Sequence, residues 1–88
     1  MLQEELVIQN KLGLHARAAA KFVQCATEFT CSVEVIKGDL RVNGKSIMGV
    51  LLLAAPMGTH LEVVLDGPDE EEALEALRAL IEDKFGED

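Results

Sequence analysis

Between Thr59 and Asp66 the chain alternates: Leu61, Val63 and Leu65 on one side, His60, Glu62, Val64 and Asp66 on the other. A spacing of two with one apolar side specifies a strand that buries one face and wets the other. Leu2–Gln9 behaves alike, Leu6 and Ile8 alternating with Val7 and Gln9. So does Cys31–Lys37, with Cys31, Val33 and Val35 inward and Ser32 and Glu34 outward. Lys37-Gly38-Asp39 makes a tight turn into a short strand over Leu40–Asn43, which closes a hairpin and ends at Asn43-Gly44.

Three segments carry the longer period of a helix. Over Ala16–Glu28, Ala18, Ala19, Phe22 and Ala26 share one face, and Arg17, Lys21, Gln24 and Glu28 another. Ser46 is a preferred N-cap for the short apolar run from Ile47 towards Ala55, which Pro56 and Gly58 stop. So short and apolar a helix leaves some of Ile47, Met48, Leu51 and Leu52 exposed. After Gly67-Pro68, Asp69 with Glu72 reads as a capping box, and Leu74, Leu77, Leu80, Ile81 and Phe85 as the buried stripe of a last helix. The order is βαββαβα in one domain, 1–88. One sheet and three helices give an α+β fold of two layers, with the helices covering one face. Periodicity leaves the strand order open; a ferredoxin-like sheet fits it nearly as well.

Sixteen acidic against eight basic residues give a net charge of -8, which argues against nucleic acid as a partner. No apolar run reaches the length of a membrane span, and no secretory leader pattern opens the chain, so a cytoplasmic, soluble protein is expected. Cys25 and Cys31 read as reduced core thiols, and without a CxxC or a histidine cluster neither metal nor cofactor is expected.

The chemistry concentrates in Asn10–Ala20. Asn10 to Leu14 is a loop with turn-forming Asn and Gly, and an alanine-rich helix follows, so His15 falls at a helix N-terminus. There unpaired amides and the positive end of the helix dipole favour an anion. Arg17 adds a cationic fork on the same turn. Arg17 and Lys21 oppose the helix dipole, a hint that they serve an anion or an acidic partner. A neutral imidazole nitrogen is a good nucleophile toward phosphorus, and no Asp or Glu adjoins His15 in the sequence to suggest a hydrolase triad. Together these point to a phosphoryl group carried on the ring. His60 reads as a surface residue, and Ser46 as a cap whose hydroxyl can also accept phosphate.

Leu14-His15-Ala16-Arg17-Ala18-Ala19, together with Asn43-Gly44-Lys45-Ser46-Ile47-Met48-Gly49-Val50, resembles the HPr family, histidine-containing phosphocarriers of the bacterial phosphotransferase system. The resemblance runs the whole chain. Asn10-Lys11-Leu12-Gly13 and the stretch from Gly67-Pro68 to Leu80 also resemble the nitrogen-related paralogue. The resemblance implies an open-faced β-sandwich with a four-stranded antiparallel sheet in the order 1-4-2-3. It implies a monomeric carrier rather than an enzyme. His15 would take phosphate on Nδ1 from enzyme I and pass it to enzyme IIA, assisted by Arg17 and the first amides of the helix. Ser46 matches the serine that HPr kinase/phosphorylase modifies, and Ala16, Ala20, Gln24, Ile47, Met48 and Leu51 match the partner-binding surface. Ala18 stands where the family pattern has proline, which points to an altered transfer rate rather than lost function. Two other readings stay open beside it. One is a regulatory binding protein switched at Ser46. The other is a small ligand-binding module in which His15 is incidental.

Overall fold

A computed structural model describes residues 1–87 and contains four strands, β1 (Leu2–Val7), β2 (Ser32–Lys37), β3 (Leu40–Asn43) and β4 (His60–Asp66). Three α-helices accompany them, α1 (Ala16–Thr27), α2 (Ile47–Leu52) and α3 (Glu70–Glu82), and a single 3-10 turn over Lys84–Gly86 follows. The strands form one antiparallel sheet in the order β1-β4-β2-β3. Leu6 pairs with Leu61 and Val33 with Leu65, so every apolar side turns the same way. That order settles what periodicity left open.

The three helices cover the inward face. α3 lies along β1 and β4, α2 beside β3, and α1 touches both other helices. Phe22, Leu61, Leu77 and Ile81 are fully enclosed between the layers, as are Ala18, Ala19 and Ala26, whose small side chains let α1 approach closely. The opposite face is open and polar, with Arg41 paired to Glu34 and His60 to Glu5. Cys31 is buried and Cys25 half-buried, both thiols are free, and burial pushes both upward in pKa.

Three local expectations need correction. α2 ends at Leu52, not at Ala55. Lys37 Nζ donates to the carbonyl of Leu53 at 2.9 Å, and Ala54 turns into the left-handed region at φ 46°. Glycine adopts that conformation freely whereas alanine pays about 1 kcal/mol. Ala54→Gly is therefore expected to stabilise the fold by about 0.5–1 kcal/mol, measured as a raised urea midpoint.

The capping box is not formed. Asp69 makes no side-chain cap bond to α3; its carboxylate instead accepts the N–H groups of Thr30 and Cys31 at 2.8 and 2.9 Å. Glu70 takes the local role, accepting from Gly67 N–H at 3.0 Å. The Thr30 amide, then that of Cys31, holds the Asp69 carboxyl below its ordinary range, and the Gly67 amide does the same for Glu70. A carboxyl depressed in the folded state contributes stability above its unfolded pKa and loses it as pH falls through the folded one. Urea midpoints should therefore drop below about pH 4, and Asp69→Asn should flatten part of that slope.

Phe85 lies outside α3. It is fully buried from the 3-10 turn, where Lys84 and Phe85 both have φ 56°. This reversal sends the chain back towards α1.

Candidate functional site

The loop Asn10–Leu14 reaches α1 by a reversal that only glycine permits. Gly13 has φ +69°, and a Cβ there would stand 2.4 Å from the Ala55 carbonyl oxygen and 2.8 Å from Pro56 Cα. Leu14 N–H donates to Ala55 O at 2.9 Å, so the loop is tied to the segment that follows α2. The chain then enters α1 with His15 as the N-cap residue, its backbone extended at φ −75°, ψ 179°.

Histidine caps this helix with its ring. Nδ1 accepts the backbone N–H of Arg17 at 3.3 Å, and Nε2 meets the Glu87 carboxylate at 2.5 Å. A nitrogen that accepts from an amide is unprotonated, and one facing a carboxylate carries the hydrogen. The two partners assign the neutral ring a bare Nδ1, aimed at the helix N-terminus. The first helical bond runs from Ala19 N–H to His15 O. The amides of Ala16 and Ala18 lie ahead of it, at the end of the helix where an anion is favoured. Alanine at 18 keeps an N–H that proline would lack.

Beside the ring lies a cleft of 380 Å³ lined by Lys11, Leu12, Arg17, Lys21, Gly86 and Glu87. Of its cations, Lys21 is engaged, donating to Phe85 O at 2.6 Å. Arg17 is exposed on the first turn of α1, facing this cleft. The basic start of α1, at odds with its dipole, thus lines one cleft together with Lys11 and Glu87.

Ser46 caps α2 as expected, its Oγ accepting Gly49 N–H at 3.1 Å. Ile47 is 45%, Met48 72% and Leu52 66% exposed, while Val50 and Leu53 point into the core. Leu51 is half-buried, as is Ala20 on the neighbouring α1; Ala16 and Gln24 are exposed. α1 and α2 pack side by side, so these residues belong to adjoining elements. His60 is an exposed residue of β4, ion-paired to Glu5 at 3.2 Å. Among the described residues no cluster of potential metal ligands occurs. No helix there is long and apolar enough to cross a membrane.

Sequence reasoning assigned no role to four further residues of this region. Leu12, which lines the cleft, and Met57, on the segment tied to the loop through Ala55, are exposed apolar groups. Asn10 and Glu87 contact one another, and Glu87 contacts the ring, 72 residues away in the chain. Nothing in periodicity or spacing signals that pairing.

The family described as the PTS HPr component phosphorylation site matches residues 2–83. The phosphocarrier protein HPr of Neisseria meningitidis is 56% identical over 87 residues, 99% of this chain and 98% of that one. Among solved structures, HPr-C-His from Thermoanaerobacter tengcongensis superposes with a TM-score of 0.96 at 48% identity, covering 100% of this chain and 99% of the other. An HPr dimer from the same organism matches at TM-score 0.80 and 48% identity, over 99% and 100%. The fold and these likenesses agree over nearly every residue: the chain belongs to the HPr family, the phosphate carriers, rather than enzymes, of the phosphotransferase system.

Proposed function

We propose that this protein is a cytoplasmic phosphoryl carrier that accepts phosphate on Nδ1 of His15 from enzyme I and passes it to a histidine of enzyme IIA. The observation that carries the reading is the bare Nδ1 at the N-terminus of α1 beside Arg17. In the accepting step Nδ1 gives up its long hydrogen bond from Arg17 N–H, and the freed lone pair forms a bond to phosphorus. The donor's N–P bond breaks, and its electron pair stays on the donor nitrogen. Nε2 keeps its hydrogen throughout, so the ring gains a positive charge and no proton need move. Delivery to enzyme IIA reverses these events. Little covalent work falls to the protein; positioning and electrostatics do the rest. The amides of Ala16 and Ala18 and the Arg17 guanidinium supply charge stabilisation where the phosphoryl oxygens lie. His15, its cap and Arg17 come from one chain, so a monomer suffices. The test is incubation with enzyme I and phosphoenolpyruvate, expected to give an acid-labile, alkali-stable phosphate on the protein; no such label defeats the reading.

Docking falls to the apolar surface of α2 with the exposed side of α1: Ile47, Met48 and Leu51, with Ala16, Ala20 and Gln24. Changing Ile47 and Met48 to Asp places charge in a desolvated contact. Affinity for enzyme I should fall by at least about tenfold in calorimetry, with the fold intact by circular dichroism. Unchanged affinity would mean that partners dock elsewhere.

Ser46 fits a regulatory role at the edge of that surface, as a substrate of an HPr kinase/phosphorylase. A phosphate on a helix N-cap is electrostatically tolerated by the fold but opposes an acidic or apolar partner. Kinase and ATP should label this chain and leave a Ser46→Ala variant unlabelled.

A further inference from the structure

Glu87 reaches the ring through a segment that the backbone does not adopt for its own sake. Lys84, Phe85 and Gly86 are consecutive left-handed residues, at φ 56°, 56° and 75°. The turn is held by the fully buried Phe85 ring and by Lys21 Nζ on the Phe85 carbonyl at 2.6 Å. Strained backbone persists only where its surroundings over-determine it, and it often serves a site. Beyond the turn, the Glu87 side chain is 13% exposed, with one oxygen on His15 Nε2 and the other accepting from Asn10 Nδ2 at 3.0 Å.

Asn10 is the one buried polar side chain of the described core, with no exposed surface. Both hydrogens of its amide are used, towards Glu87 Oε1 and towards Gly13 O at 2.8 Å. Its own oxygen is buried without a partner. Turning the amide over would set that oxygen against a carbonyl and a carboxylate, so the orientation is forced. A buried amide whose donors are spent and whose acceptor is orphaned is kept for donation. It joins the histidine loop to the carboxylate that faces the histidine.

We propose that Asn10 and Glu87 are a positioning pair for His15: Asn10 fixes the carboxylate, and the carboxylate holds Nε2–H so that Nδ1 stays bare and aimed at the helix amides. The inference deepens the phosphocarrier reading and rests on it. While phosphate is on Nδ1 the ring carries a positive charge next to Nε2–H, and Glu87 lies where it balances that charge. Arg17, Lys11 and Lys21 are the other charged groups lining this cleft, all cationic, so among the described residues Glu87 is its one anionic side chain. The Asn10 amide first, and then His15, hold the Glu87 carboxyl below the usual carboxylate range, which keeps it charged at neutral pH.

The test uses the full chain, Glu87→Ala and Asn10→Leu, with two readouts. A one-bond proton–nitrogen spectrum of the His15 ring, taken where the ring is neutral, should show a slowly exchanging Nε2–H in the native chain. That signal should be lost in Glu87→Ala and weakened in Asn10→Leu. Single-turnover phosphoryl transfer from phosphorylated enzyme I should slow by on the order of tenfold in Glu87→Ala, with affinity for enzyme I unchanged. Glu87 lies beyond the last turn and outside the apolar core, so Glu87→Ala leaves the core packing untouched and the test stands even if Asn10→Leu fails to fold. A ring signal indifferent to Glu87→Ala overturns the pair whether or not phosphate is transferred. A lost signal with native transfer rates overturns its role in transfer. A native chain that takes up no phosphate defeats the phosphocarrier reading itself, and with it the purpose assigned to the pair.

Discussion

His15→Ala should take up no phosphoryl group from phosphorylated enzyme I, its label falling to background while the chain stays folded by circular dichroism. The ring is half-buried at the rim of the fold and its capping bond to Arg17 N–H is long, at 3.3 Å. Losing an N-cap costs about 0.5–2 kcal/mol, so the variant stays folded. Chemistry, by contrast, has no substitute. The other histidine, His60, is on the open side of the sheet against Glu5, without a helix N-terminus or an arginine beside it. Label that survives in His15→Ala would place the acceptor elsewhere. Partial label that moves to His60 would mean that the amides and Arg17 contribute little.

The second large effect is on the loop. Gly13→Ala must place a Cβ 2.4 Å from Ala55 O and 2.8 Å from Pro56 Cα, both backbone atoms, at φ +69°. The left-handed conformation costs alanine about 1–2 kcal/mol and the overlap about 1–3 more. We expect a loss of about 2–5 kcal/mol in urea unfolding and a melting temperature lower by roughly 10–40 °C. Gly38→Ala is the control. Its φ is +59° with open space around the Cβ, so only the conformational cost of about 1 kcal/mol applies. If the two glycines cost the same, the approach of the Gly13 loop to Ala55 is not what demands glycine there. Gly13→Ala should also lower transfer, since the same loop carries Asn10 and sets the start of α1.

What could be read from residue order follows the reach of each interaction. β4 was legible because alternation is a property of neighbours, and its partners obey the same rule. His15 and Ser46 were legible as helix starts because a cap acts within three residues. Asp69 was misread for the complementary reason. It has the right identity and position for a cap, but the amides of Thr30 and Cys31 lie in the turn packed against it and take its carboxylate. The end of α2 depends on Lys37, from another strand, and on Ala55, whose carbonyl is held by Leu14 N–H. Glu87 lies beyond any local rule, since only the left-handed turn at Lys84–Gly86 brings it to the ring. The histidine at the start of α1 was therefore visible in the sequence, and the carboxylate beside it was not.

Ala18 takes on a different meaning in the structure. Without proline the first turn of α1 keeps one more N–H facing out of the helix end, at the cost of a less rigid backbone. The Ala18 side chain itself is fully buried.

The central claim is that phosphate resides on Nδ1 of His15, and phosphorus–nitrogen NMR of the chain phosphorylated by enzyme I and phosphoenolpyruvate tests it most directly. One phosphorus resonance coupled to His15 Nδ1, with the hydrogen retained on Nε2, is the expected result. Phosphate on Nε2, or on any residue other than His15, would contradict it.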